Sequence, residues 1–283
     1  MDQQIINLYD EYTHKPLPRS EFMKRLAVLT GSTAAAITIL PFLEGNYAKA
    51  AVTSSEDLFT EYITYPAVTG EMKAYVARPK KEAKYGTVIV IHENRGLNAH
   101  IEDVARRAAT AGFLAIAPNA LAPLGGTPAN EDEARTLFTK LNAKETEQNF
   151  INIFNYLKTR KDSNGKFGCV GFCWGGGMSN TLAVNVPELK AAVTFYGRQA
   201  AAADVPKIKA AVQLHYAALD ERINAGIAGY EQALKDNQVT YELYMYPDVN
   251  HAFHNDTAPT RYNDIAAKLA WQRTIAFFRK HLA

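Results

Sequence analysis

The sequence predicts an α/β fold: an open, mostly parallel sheet with helices on both faces. Three observations carry this expectation. Continuous apolar runs such as "GTVIVIHE" have the composition of strands buried on both faces. Segments with apolar residues at helical spacing separate these runs and give repeated β-α-β order. Chemistry-bearing residues, Glu93, Cys173, Asp220 and His251, stand at the ends of predicted strands, where open parallel sheets gather functional groups.

The elements follow in order from residue 51. "EYITYPAV" and "MKAYVARP" alternate apolar and polar residues and are split by Thr69-Gly70, as in an antiparallel hairpin. "GTVIVIHE" is a buried parallel strand, and "HIEDVARRAATAGF" is an amphipathic helix that stops at Gly112. "FLAIAPNAL" is the next strand. Residues 130–161 carry Leu137, Leu141, Phe150, Ile153, Phe154 and Leu157 at helical intervals and close on the Asp162-Ser163-Asn164-Gly165 turn. Then come the strand "KFGCVGF", a helix from about Gly175, the strands "KAAVTFYG" and "AAVQLHYAALD", a helix around "AGYEQALKDN", the strand "VTYELYMYP" and a closing helix over 265–281. Trp271, Phe277 and Phe278 sit at core spacing on that last helix. His215, inside a strand, reads as a core histidine.

Residues 1–50 form a separate extension before a catalytic domain at 51–283. Arg19, Lys24 and Arg25 precede a mildly apolar run from Leu26 to Leu43, and Ala48-Lys49-Ala50 is a small-x-small cleavage pattern. This is the three-part order of an export signal. "RSEFMK" resembles a twin-arginine signal with Ser20 in place of the second arginine. The run is short for a membrane span and contains Pro41, expected to break it. The expectation is export to the periplasm, with no stable membrane insertion after processing. The competing reading is an amphipathic helix that packs on the domain and stays. Met1 to Pro18 is long for a signal's polar start and suits a short surface helix.

Composition bounds the function. The 283 residues are 47% apolar and carry a formal net charge of +2 with Lys and Arg spread along the chain, against a nucleic-acid partner. Cys169 and Cys173 are too few for a disulfide framework, and no histidine stands at metal-ligand spacing beside them, so no metal and no cofactor are expected. The oligomeric state is not encoded in any recognisable pattern.

Gly171-Phe172-Cys173-Trp174-Gly175 lies between a strand and a helix. It has the form of a nucleophile elbow, a strained turn whose small neighbours let strand and helix approach. Nucleophile, acid and histidine then follow in the order Cys173, Asp220, His251, the order of the α/β-hydrolase triad. Cys169, on the strand itself, reads as a core residue. Asp248, three residues before His251, reads as a turn former.

With these motifs, and with "HENRGLNAHIEDVARR", "GFCWGGG", "FYGRQ", Leu219-Asp220 and "NHAFHN", the sequence closely resembles the dienelactone hydrolase family from about Glu61 to the C-terminus. The resemblance implies an α/β-hydrolase that hydrolyses a small lactone or ester through a thioester. It implies Cys173 as nucleophile, His251 as base and Asp220 as the acid that orients it. It also implies Glu93 as a glutamate contacting the resting thiol, and the backbone N–H groups of Trp174 and Asn94 as oxyanion donors. A carboxylate beside a thiol disfavours the thiolate, so Glu93 is read as keeping Cys173 protonated until substrate binds. The family pattern Ser-Phe-x-Arg after the histidine is here Ala252-Phe253-His254-Asn255, which argues against a carboxylate-bearing dienelactone as substrate. Arg135 matches a second carboxylate-binding arginine, and Arg95, Arg198 and His254 are further candidates for substrate contact. A non-catalytic binding protein on the same fold is the competing function; the joint presence of Cys173, Asp220 and His251 speaks for catalysis. A thiol redox role lacks a resolving cysteine.

Overall fold

The structure, a computed structural model, describes residues 1–45 and 53–283. Eight strands form one sheet: β1 (Leu58–Ala67), β2 (Gly70–Pro79), β3 (Tyr85–Ile91), β4 (Leu114–Pro118), β5 (Ser163–Phe172), β6 (Leu189–Phe195), β7 (Ala211–Ala217) and β8 (Tyr241–Tyr246). Their order is β1-β2-β4-β3-β5-β6-β7-β8. The hairpin pairs Ala67 with Gly70 and is antiparallel, as its alternating pattern predicts. β2 pairs antiparallel with β4, and all later neighbours are parallel. Strands β3, β5, β6 and β7 are buried on both faces, which is why their sequences are apolar without alternation.

Each face of the sheet has its own core. Helices α4 (Ala99–Thr110) and α10 (Asp264–Leu282) cover one face, with Ile101, Val104, Phe277 and Phe278 buried against Val88, Val170 and Val193. Helices α6 (Ala143–Leu157), α7 (Trp174–Asn185) and α9 (Ile227–Asp236) cover the other, with Phe150, Leu182 and Leu234 against Ile89, Cys169 and Leu214. The helical stretch expected over 130–161 is two helices. α5 (Glu131–Phe138) ends at Thr139, and the Asn142 side chain accepts the Lys144 and Glu145 N–H groups to start α6. A four-residue helix, α8 (Glu221–Asn224), follows β7.

Ahead of the sheet lie α1 (Gln3–His14), α2 (Arg19–Thr30) and α3 (Thr33–Leu43). They share a small core in which Tyr12 stacks on Phe22 at 4.2 Å, beside Leu26, Leu40 and Leu43. Gly31, at φ 82°, turns the chain between α2 and α3 by 108°. Among the described residues no single helix is long and apolar enough to cross a membrane; α2 and α3 reach that length only together, across this bend. Pro41, expected as a breaker, sits in the last turn of α3, which ends two residues later. The Ala48-Lys49-Ala50 pattern lies outside the described residues.

The three helices sit over the C-terminal ends of the central strands. Arg135 donates to the Tyr12 carbonyl at 2.9 Å, and its guanidinium lies 4.0 Å over the Tyr12 ring. Asn94 donates to the Thr13 carbonyl at 2.9 Å, and Arg222 pairs with Asp10 at 3.1 Å.

Candidate active site

The site begins with the turn after β5. Cys173 has φ 56° and ψ −114°, a strained conformation for a residue with a side chain, and α7 starts at the next residue. Close approach makes the turn possible. A Cβ on Gly171 would lie 1.8 Å from the Gly175 carbonyl oxygen, and one on Gly175 would lie 2.4 Å from that of Ile91. The Cys173 N–H is held by the Phe195 carbonyl at 3.0 Å. The thiol thus sits at a helix N-terminus, where the macrodipole favours a negative charge. Trp174 opens α7, so its N–H has no acceptor within the helix.

Asp220 caps α8, accepting the Ile223 N–H at Oδ1, 3.2 Å. Its Oδ2 lies 2.5 Å from Nδ1 of His251, on the loop after β8. The carboxylate accepts a hydrogen bond from Nδ1–H and so fixes the ring with Nε2 on the side of the sulfur. His251 is 4% exposed, and its Nε2 has no hydrogen-bond partner. The structure thus brings Cys173, His251 and Asp220 together from three separate strand ends. Asp248 lies apart as an exposed turn residue at φ 54°.

A second imidazole, absent from the sequence reading, reaches the same sulfur. His14, the last residue of α1, places Nε2 3.1 Å from Sγ of Cys173, and its ring packs edge-on against that of His251 at 4.7 Å. One nitrogen of each ring and Sγ all lie within 4.8 Å of one another. Among the described residues these three donors form the cluster compact enough to hold a metal ion. A thiolate between imidazoles also balances its charge as an ion pair. Burial pushes the Cys173 thiol up, but His14 and then His251 overcome it and bring its pKa down to about 6. Burial opposes the charge on His251, yet Asp220 and Cys173 hold its pKa well above the usual imidazole value. Cys169 shows the contrast. Buried with no imidazole nearby, its thiol is pushed up to about 12, as befits a core residue.

Glu93 lines the chamber around Sγ but does not hold the thiol as expected. Asn255 donates to its Oε2 at 2.8 Å and Tyr196 to its Oε1 at 3.5 Å; no hydrogen bond joins it to Sγ among the described residues. The thiol's pKa falls rather than rises, because the charges of the His14 and His251 imidazoles outweigh its burial. Asn255, standing where the family pattern has arginine, is the staple that holds Glu93 in place. His92 accepts the Ala120 N–H at Nε2, 3.0 Å, so its Nδ1 carries the proton and donates to the Glu93 carbonyl at 2.6 Å. Burial lowers the pKa of His92 to about 4, so it stays neutral and pins the loop that carries Asn94.

The four candidate substrate contacts separate. Arg198 is exposed and lines a cleft of 860 Å³ that reaches Cys173 and Trp174 from the α7 side. Arg95 lines the small chamber beside Asn94, and its guanidinium donates to Asn94 Oδ1 at 2.6 Å. Arg135 is a correction: it is spent on docking Tyr12 and lines neither space. His254 is another. It is buried behind the elbow, stacked on Phe172 at 5.0 Å, because the whole loop after His251 packs inward and Ala252, Phe253 and Asn255 are buried with it.

Sheet order and elbow together define an α/β-hydrolase. The model of the dienelactone hydrolase family matches residues 72–282, and the chain belongs to that family. A provisionally named carboxymethylenebutenolidase from Salmonella typhi is 32% identical over 232 residues, covering 76% of this chain and 85% of its own. A crystal structure of a provisionally named dienelactone hydrolase from Klebsiella pneumoniae superposes with a TM-score of 0.70 at 29% identity, over 79% of this chain and 99% of that one. An esterase from Rhizomucor miehei shares only the fold, at 11% identity and a TM-score of 0.67. That likeness spans 98% of this chain and 96% of the other, a length that takes in most of the N-terminal helices.

Proposed function

We propose that this hydrolase cleaves small carboxylic esters or lactones through a Cys173 thioester. The observation that carries the reading is the His251 imidazole, fixed by Asp220 on one nitrogen and turned toward a thiol at the elbow with the other. The thiolate attacks the carbonyl carbon, and the carbonyl π pair moves onto oxygen. Two N–H groups, those of Trp174 and Asn94, suit that oxyanion, each worth about 3 kcal/mol of barrier. Collapse breaks the carbon–oxygen ester bond, and the leaving alkoxide takes a proton from imidazolium. Water then attacks the thioester with imidazole as its base, and the thiolate leaves.

The cleft beside Arg198 supports entry of a small acyl chain from the α7 side. An exposed guanidinium there suits a carboxylate at the far end of the substrate. Arg198→Ala is expected to raise KM about 10-fold for esters carrying a remote carboxylate, and to leave neutral esters of equal length unchanged; steady-state kinetics on matched pairs checks this. The reading as a whole is tested with a panel of p-nitrophenyl esters and lactones, followed by intact mass after rapid quench. An acyl mass on the peptide containing Cys173 is expected. Turnover with no adduct under any quench, using a slow substrate, contradicts a thioester.

A further inference from the structure

We propose that His14 and Asp10 form a second acid–base dyad of the active site, facing His251 and Asp220 across the sulfur of Cys173, and that the N-terminal helices therefore stay with the working enzyme. The proposal rests on the Cys173 reading above.

The geometry is that of a placed catalytic group. His14 Nδ1 donates to the Asp10 carbonyl at 2.9 Å, with the Asp10 carboxylate Oδ1 3.0 Å away, and Nε2 is left to meet Sγ at 3.1 Å. Arg222 holds the other Asp10 oxygen. The other titratable and charged groups lining the chamber are His251 and Glu93, on the loops after β8 and β3, with Arg95, Glu131, Arg261 and Tyr9 further along its wall. Two helix ends reinforce the pair. His14 closes α1, where the dipole favours a cation, and Cys173 precedes α7, where it favours an anion. Burial opposes charge on His14, but Cys173 and Asp10 outweigh it and raise its pKa.

The space around the sulfur divides in two. The cleft on the α7 side touches Cys173 but neither imidazole. Beneath α1 lies a chamber of 20 Å³ lined by His14, His251, Cys173, Glu93 and Asn94. That volume suits about one water molecule. A lactone has a particular need here. Its leaving oxygen stays tethered to the acyl group, so it lingers beside whichever imidazolium protonated it. One imidazole would then have to serve both the tethered alcohol and the incoming water. With two dyads, imidazolium His14 gives its proton to the leaving alkoxide as the carbon–oxygen bond breaks. Acylation removes the thiolate charge that helps hold a proton on His251, so His251 gives that proton up to solvent and then takes one from water as the new carbon–oxygen bond forms and the carbon–sulfur bond breaks. The step leaves thiolate, imidazolium His251 and neutral His14; the carboxylic acid releases its proton to solvent, and His14 regains a proton from solvent beside the re-formed thiolate, which closes the cycle.

The test uses the full-length chain with His14→Gln and, as a second variant, Asp10→Asn, beside Cys173→Ala. Each is checked for folding by circular dichroism, and the mature N-terminus of the wild type is read by intact mass from its native host. The expected His14→Gln result is a fall in kcat of about 10²-fold with KM little changed, and iodoacetamide alkylation of Cys173 shifted to higher pH. Asp10→Asn is expected to fall in the same direction by less. The wild type is expected to retain residues 1–45. A folded His14→Gln with unchanged or increased kcat and an unshifted alkylation profile overturns the proposal, the increase marking α1 as a plug. A fully active native protein beginning at Ala51 overturns it as well and restores the export signal. If Cys173→Ala also keeps its activity, the thioester reading fails with it; if only His14→Gln does, that reading stands.

Discussion

Replacement of Cys173 by alanine is expected to lower kcat on esters and lactones by at least about 10⁴-fold, leaving only what the oxyanion donors and binding contribute. No other side chain stands at the elbow to replace the sulfur. Cys169, the one other cysteine, is buried on β5 with its Sγ against Ser179 and its thiol pushed up to about 12. The substitution removes one atom from a 7% exposed side chain, so the fold is expected to survive with a loss of about 1 kcal/mol or less. Melting temperature and substrate-analogue binding, measured beside kcat, separate lost chemistry from lost structure. A variant that folds, binds and still turns over contradicts the account. A wild type that binds but never turns over any ester or lactone makes the chain a binding protein on a catalytic fold.

The second large effect is structural. Gly171→Ala places a methyl carbon 1.8 Å from the Gly175 carbonyl oxygen, a backbone atom with nowhere to go between β5 and α7. Strand and helix must part to admit it, which unpacks the central strand from both cores. The expected cost exceeds about 4 kcal/mol, enough to unfold many domains of this size. Chemical denaturation, or simply the loss of soluble protein, reads this out. Gly177→Ala, also on α7, is the control: its nearest neighbour would lie at 3.6 Å, an ordinary contact. It is expected to be near neutral or to stabilise the helix slightly. Equal tolerance at Gly171 and Gly177 contradicts the close approach that shapes the elbow.

The parts of this molecule legible in its sequence are those whose causes are local. The β1–β2 hairpin follows from alternation around Thr69-Gly70, and the buried strands from unbroken apolar runs. The elbow follows from glycines two residues either side of Cys173. The chain order of Cys173, Asp220 and His251 pointed to one place because a parallel sheet brings strand ends together. What escaped depends on distant packing. Nothing near Arg135 says that its guanidinium will lie over Tyr12, 123 residues earlier, rather than on a substrate. The loop after His251 turns His254 inward, and spacing alone does not give that direction. Glu93 was placed at the site, but its partners Tyr196 and Asn255 decide what it does there. His14 is the largest omission. Two signals were present: Ile5, Leu8, Tyr9 and Tyr12 at helical spacing, and Asp10 four residues before His14. Both were overshadowed by the basic and apolar stretch that follows, which has the order of an export signal while α1, α2 and α3 bury Phe22, Leu26, Leu40 and Leu43 together.

The central claim is that imidazoles hold Cys173 as a thiolate before any substrate arrives. Ultraviolet thiolate absorbance, titrated for the wild type with Cys173→Ala subtracted, measures that directly. The account predicts a single-thiolate step centred near a pH of about 6, with the thiolate present above it and lost below it. A step centred at or above the ordinary thiol value of 9.0 would contradict it.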